Sequence, residues 1–188
     1  MARMKGLGVV ALVRLVKSLA RQQGIENVAQ ALDMQGSLVF EGRVLASTWY
    51  DYGDFAKLLL AAHRLSGSRA PDFYENLGRI TAEADMGATL SAFKNTGSGD
   101  LKAFGRALRH VWKAYNDPGE MRVEEAGPNH SRMVLEGAPH VVPEHCQLTG
   151  GWAARGMEIG GAKDVRVLHD RCVNRGDNCC SYKLTWAG

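Results

Sequence analysis

The sequence predicts an α+β fold: a helix-rich first part and a small antiparallel sheet that carries one inserted helix. Two observations predict it. Up to residue 117, apolar side chains recur three and four positions apart, the period of helices with one buried face. Beyond Gly119 the period falls to two, and turn residues bracket short runs, as in antiparallel strands. Helices segregated from a sheet in this way make an α+β layout. At 188 residues the chain suits one domain able to bury a real core. The expected division is a helical half over 1–117 and a sheet half over 118–188.

The elements follow in order. Val9, Leu12, Val13, Val16 and Leu19 mark a first helix that Gly24 stops, and Ile25 to Leu32 suits a second, short one. Phe55, Leu58, Leu59, Ala62 and Leu65 form an apolar face that ends at Ser66-Gly67-Ser68. Pro71-Asp72 opens the next helix, with Phe73, Leu77, Ile80 and Ala84 on one stripe. After Gly99-Asp100, Leu101, Phe104, Leu108, Val111, Trp112 and Tyr115 make the clearest helix, closed by Asn116-Asp117-Pro118-Gly119. Met121 to Glu125 and Arg132 to Leu135 flank Gly127-Pro128-Asn129 as a hairpin. Pro143 to Ala154 reads as the inserted helix, broken at Gly160-Gly161. Val165, Val167 and His169 share one strand face, and Cys180, Tyr182, Leu184 and Trp186 share another.

Composition excludes several classes. The hydrophobic fraction of 45% and charged fraction of 23% are those of a soluble globular protein. A net charge of +3, with basic residues scattered, argues against a nucleic-acid partner. Leu7 to Val13 is far short of a membrane span and is interrupted by Arg14. No small-residue cleavage site follows it, so a cytoplasmic location is expected, where thiols stay reduced and bind metal more readily than they pair.

All four cysteines lie after position 145. The run His169-Asp170-Arg171-Cys172, followed by Cys179-Cys180, combines with Cys146 into three thiols and one imidazole, the ligand types of tetrahedral zinc. A turn at Gly176-Asp177 brings the Cys180 strand back beside the His169 strand. Neighbours on a strand face opposite ways, so Cys179 and Cys180 cannot both serve. His145 and Cys179 stand as the reserve ligands. The competing reading is four reduced thiols packed as small hydrophobes. A closed four-ligand shell is structural, whereas catalytic zinc keeps an open position for water. HExxH, a deaminase signature and a phosphate-binding glycine loop are all missing, and Asp51, Asp54 and Glu75 are scattered carboxylates. The expectation is therefore no enzyme.

The C-terminal pattern Gly150-Gly151-Trp152, His169, Cys172, Gly176-Asp177 and Cys180-Ser181-Tyr182 resembles the 4-vinyl reductase domain. That sensor and ligand-binding family is related to trafficking-complex subunits and to haem-based nitric oxide sensors. The resemblance implies a zinc at Cys146, His169, Cys172 and Cys180, with His169 where the family's phenol-sensing members carry a glutamate. Trp49-Tyr50 and the closing Cys180 to Trp186 also resemble an uncharacterised paralogous family abundant in myxobacteria. The resemblance further implies an effector pocket between helices and sheet, for which Trp49, Tyr52, Phe55 and Phe73 are the candidate lining residues. Ordinary core packing is the competing reading for these aromatics. His63 and His110, each on a predicted helix, read as structural histidines rather than haem ligands.

The function expected is a sensor or regulatory module, binding a small apolar ligand or a protein partner and passing its signal to another chain. A dimeric scaffold or adaptor is the first alternative, a tetrapyrrole-handling enzyme or carrier the second. Val10 and Leu15 lie off the main face of the first helix, which argues for a homodimer through the helical half.

Overall fold

The computed structural model describes residues 1–88 and 109–187. The fold is α+β, with two antiparallel sheets. The chain divides into two compact units, Met1–Pro71 with Ala114–Pro118, and Asp72–Lys113 with Gly119–Gly188. Residues 72–88 and 109–113, expected in the helical half, thus group with the sheet.

In the first unit, β1 (Arg3–Lys5) leads directly into α1 (Gly6–Gln22). Val9, Leu12, Val13, Val16 and Ala20 form the buried stripe of α1, which packs on α3 (Tyr52–Ser66). Full burial of a valine or leucine stabilises by roughly 1.5–3 kcal/mol, so this stripe holds the helix far more firmly than its uncapped N-terminus does. Val10 and Leu15 are half-buried. The second helix, α2 (Val28–Ala31), is shorter than expected and capped by Asn27, which accepts from the Gln30 amide. Asp51 caps α3 through the Gly53 amide at 2.7 Å. Alternation did not reveal the strands: β2 (Trp49–Asp51) and β3 (Asn116–Asp117) flank β1 in a three-stranded antiparallel sheet.

The second unit contains α4 (Phe73–Ala88), helical residues 109–115 (α5, whose last two residues belong to the first unit) and α6 (Pro143–Ile159). Leu101, Phe104 and Leu108, part of the stripe expected after Asp100, lie outside the described residues. Its four-stranded sheet has the order β4 (Glu120–Gly127), β5 (His130–Glu136), β7 (Cys180–Ala187), β6 (Lys163–Arg171), antiparallel throughout. Met133, Leu135, Cys180, Tyr182 and Leu184 point into one core with Cys146, Ala153 and Ala154 of α6. Pro143 occupies the first turn of α6, where its missing N–H costs no hydrogen bond.

Two adjacent glycines let α6 sit between sheet and helix. A Cβ on Gly150 would stand 3.1 Å from Val167 and 3.5 Å from Tyr182, whereas one on Gly151 would stand 1.9 Å from the Glu75 carbonyl of α4. On α4, Gly78 answers in kind: its Cβ would lie 2.0 Å from the Leu148 carbonyl. The two backbones therefore meet where only glycine fits. Gly151→Ala should lower stability by roughly 1–3 kcal/mol, the cost of overpacking. Denaturant unfolding of variant and parent checks this, and an unchanged midpoint would contradict the crossing.

Candidate metal centre

Four elements bring the chemistry together. Cys146 sits in the first turn of α6. His169 comes from β6, Cys180 opens β7, and Cys172 lies between them, ahead of the 3-10 turn Val173–Arg175. The Cys172 carbonyl accepts from the amides of Arg175 at 2.8 Å and Asp177 at 3.2 Å. Asp177 returns a carboxylate to the Cys172 amide at 2.7 Å. Gly176 closes the turn with φ of 92°, a left-handed conformation that favours glycine. This local ring of hydrogen bonds delivers Cys172 and Cys180 to the same point.

The ligand atoms of Cys146, His169, Cys172 and Cys180 all lie within 4.8 Å of one another. The sulfurs touch: Cys146 to Cys180 is 3.6 Å, Cys146 to Cys172 is 3.9 Å and Cys172 to Cys180 is 4.0 Å. Cys146 and Cys180 are fully buried, Cys172 nearly so, and His169 is half-buried. The His169 ring lies on Tyr182, its cross-strand partner, with centroids 4.6 Å apart and planes 10° off parallel. The Cys180 thiol is pulled down to about 4, first by its contact with Cys146 and further by His169, while the same contact and burial push Cys146 up. Burial and the neighbouring sulfurs raise the Tyr182 phenol well above its ordinary range. Of the Cys146–Cys180 pair, Cys180 is the thiol that gives up its proton first.

The reserve ligands lie elsewhere. Cys179, just ahead of β7, is buried near Arg171, Glu136 and Glu124, and burial raises its thiol. His145 stacks on Trp112 with centroids 5.7 Å apart. Three of the four aromatic candidates belong to the first unit. Tyr52 and Phe55 are core residues of the first unit, 4% and 3% exposed. Phe73 belongs to the second unit, edge-on to Tyr74. Trp49 borders an open groove of about 420 Å³, which Arg3, Asp33, Asp51, Asp54 and Lys57 make polar. Sequence reasoning missed Asp177, Asn174 and Tyr182 as neighbours of the centre; the Asn174-Arg175-Gly176-Asp177 turn was the available signal for the first two.

No family model matches the chain, and no curated protein matches its sequence. Solved structures do match its fold. The Fe(II) unliganded H-NOX protein from K. algicida aligns with a TM-score of 0.65 at 13% identity, covering 98% of this chain and 97% of its own. The H-NOX protein from S. oneidensis in the Fe(II)NO ligation state gives 0.61 at 13% identity, covering 98% and 100%. A third neighbour, described by modulation of its haem redox potential through porphyrin distortion, gives 0.62 at 10% identity over 97% and 100%. At these identities the likeness is one of fold. The 4-vinyl reductase resemblance gains no support from sequence comparison.

His145 generates a pH prediction. Burial, aided by the charge on His140, pushes its imidazole from 6.5 down to about 3. The folded state binds this proton less readily than the unfolded one, so stability is full above 6.5 and is lost as pH falls from there toward 3. Between pH 7 and 5 the loss from this group should be about 2 kcal/mol. His145→Phe should lose less stability than the parent over that interval. Melting temperatures of both proteins at the two pH values decide it, and parallel losses would refute the assignment.

Proposed function

We propose that this chain is a non-enzymatic cytoplasmic sensor or regulatory module with a structural zinc at Cys146, His169, Cys172 and Cys180. The observation that carries the reading is the sulfur spacing. Thiolates about 2.3 Å from a tetrahedral zinc stand about 3.8 Å apart, and the three contacts of 3.6, 3.9 and 4.0 Å straddle that value. Three thiolates and an imidazole complete the shell, which leaves no position for a reacting water and supports a structural over a catalytic role. Among the described residues no helix is long and apolar enough to cross a membrane.

Haem, the group of one fold neighbour, does not suit these donors. An axial ligand must face a slot that admits a macrocycle. All six histidines lie among the described residues. His63, His140 and His169 have Nε2 enclosed by protein, His145 is stacked on Trp112, and His110 and His130 are exposed. This weighs against the tetrapyrrole reading.

The effector of the proposed sensor is a small apolar ligand or a protein partner. The burial of Tyr52 and Phe55 in a packed core favours the protein partner, and with it the second reading, a dimeric scaffold or adaptor. Half-exposed apolar surface at Val10 and Leu15 supports a homodimer.

Native mass spectrometry of the untagged protein tests metal, ligand and oligomeric state together, with one zinc per chain and a dimer expected. Cys172→Ser should cost roughly 3 kcal/mol or more, against roughly 1 for Cys179→Ser, because only the first removes a metal ligand. A metal-free protein whose melting temperature ignores chelator would rule out the zinc, and equal costs would rule out the ligand choice.

A further inference from the structure

We infer that Asn174 is the positioning residue of the thiol centre, clamping the Cys172 turn to the entrance of α6 and donating to the ligand sulfurs. The inference rests on the four-ligand reading proposed above. Asn174 lies in the turn Val173–Arg175, two residues beyond Cys172. Its Nδ2 is 2.8 Å from the Val141 carbonyl, 3.6 Å from Cys172 Sγ and 3.9 Å from Cys146 Sγ. The short contact to a carbonyl oxygen requires the amide's NH₂ end there, since its oxygen would meet another acceptor. That nitrogen carries two hydrogens. With one on Val141, the other is directed at the pair of sulfurs.

Two consequences follow from this geometry. Val141 immediately precedes Val142-Pro143, where α6 and the Cys146 turn begin. One carboxamide therefore ties together the segments that present Cys146 and Cys172, holding their sulfurs at ligand spacing. Charge supplies the second consequence. Three thiolates exceed a divalent ion by one negative charge, and buried excess charge must be met by donors. An N–H directed at the sulfurs meets it and makes them poorer nucleophiles. Groups that orient metal ligands in this way typically set affinity ten- to a hundred-fold. Asn174 as a whole is solvent-exposed, which points to the lower end of that range and leaves core packing untouched by its replacement.

Cobalt(II) titration of the untagged, metal-free full chain tests the inference, with a chelator of known affinity as competitor. Asn174→Ala should bind one cobalt about ten-fold more weakly. Its sulfur-to-cobalt charge-transfer band should move to lower energy, because sulfur lone pairs without a donor lie higher. Asn174→Asp, nearly isosteric but an acceptor bearing negative charge, should bind more weakly still. A residue that merely filled space would give the reverse order. Iodoacetamide should modify the cobalt-loaded thiolates faster in both variants. Variants that match the parent in affinity and spectrum, or an aspartate variant tighter than the alanine one, would overturn the role of Asn174 while leaving the metal reading intact. A parent protein that takes up no cobalt would overturn both. If Asn174→Ala does not fold, Asn174→Asp against the parent gives the same comparison.

Discussion

Three buried sulfurs in mutual contact impose a condition that the surrounding elements must meet. Were all three ionised at separations of 3.6–4.0 Å, each pair would repel by about 4 kcal/mol at an effective dielectric constant near 20. The cluster is therefore stable either with most of its protons retained or around a cation. The raised Cys146 thiol bears on the first condition, and the sulfur spacing suits the second.

Much of the second unit serves to place those sulfurs. α6 must approach both the sheet and α4, and the neighbouring Gly150 and Gly151 point its two bare faces at Tyr182 and Glu75. Tyr182, seated against Gly150, in turn supports the His169 ring. Helix packing and site geometry are thus one mechanical system. Displacing α6 from α4 would move Cys146, and displacing it from the sheet would move His169.

The H-NOX likeness extends over nearly the whole chain, yet the donors converge on a compact sulfur–imidazole cluster that suits a single small ion. Fold and site chemistry are separable, and one scaffold hosts different ligand chemistries through a few side chains. The polar groove beside Trp49 and the filled core around Tyr52 and Phe55 illustrate the same separation.

What the sequence by itself determined were features with a local signature. The apolar periods of α1 and α3, the Pro143 start of α6, the Gly127-Pro128-Asn129 hairpin and the convergence of Cys146, His169, Cys172 and Cys180 were all legible. Each follows from spacing, turn chemistry or ligand type within a short stretch, or from two strands joined by one turn. Only the tertiary structure decided the rest. The strands β1, β2 and β3 are two or three residues long, too short for alternation to register. Helix α4 groups with the sheet through the Gly78–Gly151 crossing, which joins positions far apart in sequence, and no local period reports that. Trp49, Tyr52, Phe55 and Phe73 look alike as aromatic residues, but burial separates core from groove only once the chain is folded. Asn174 meets Val141 across 33 positions, so its hold on the sulfurs depends on a contact that exists only in three dimensions.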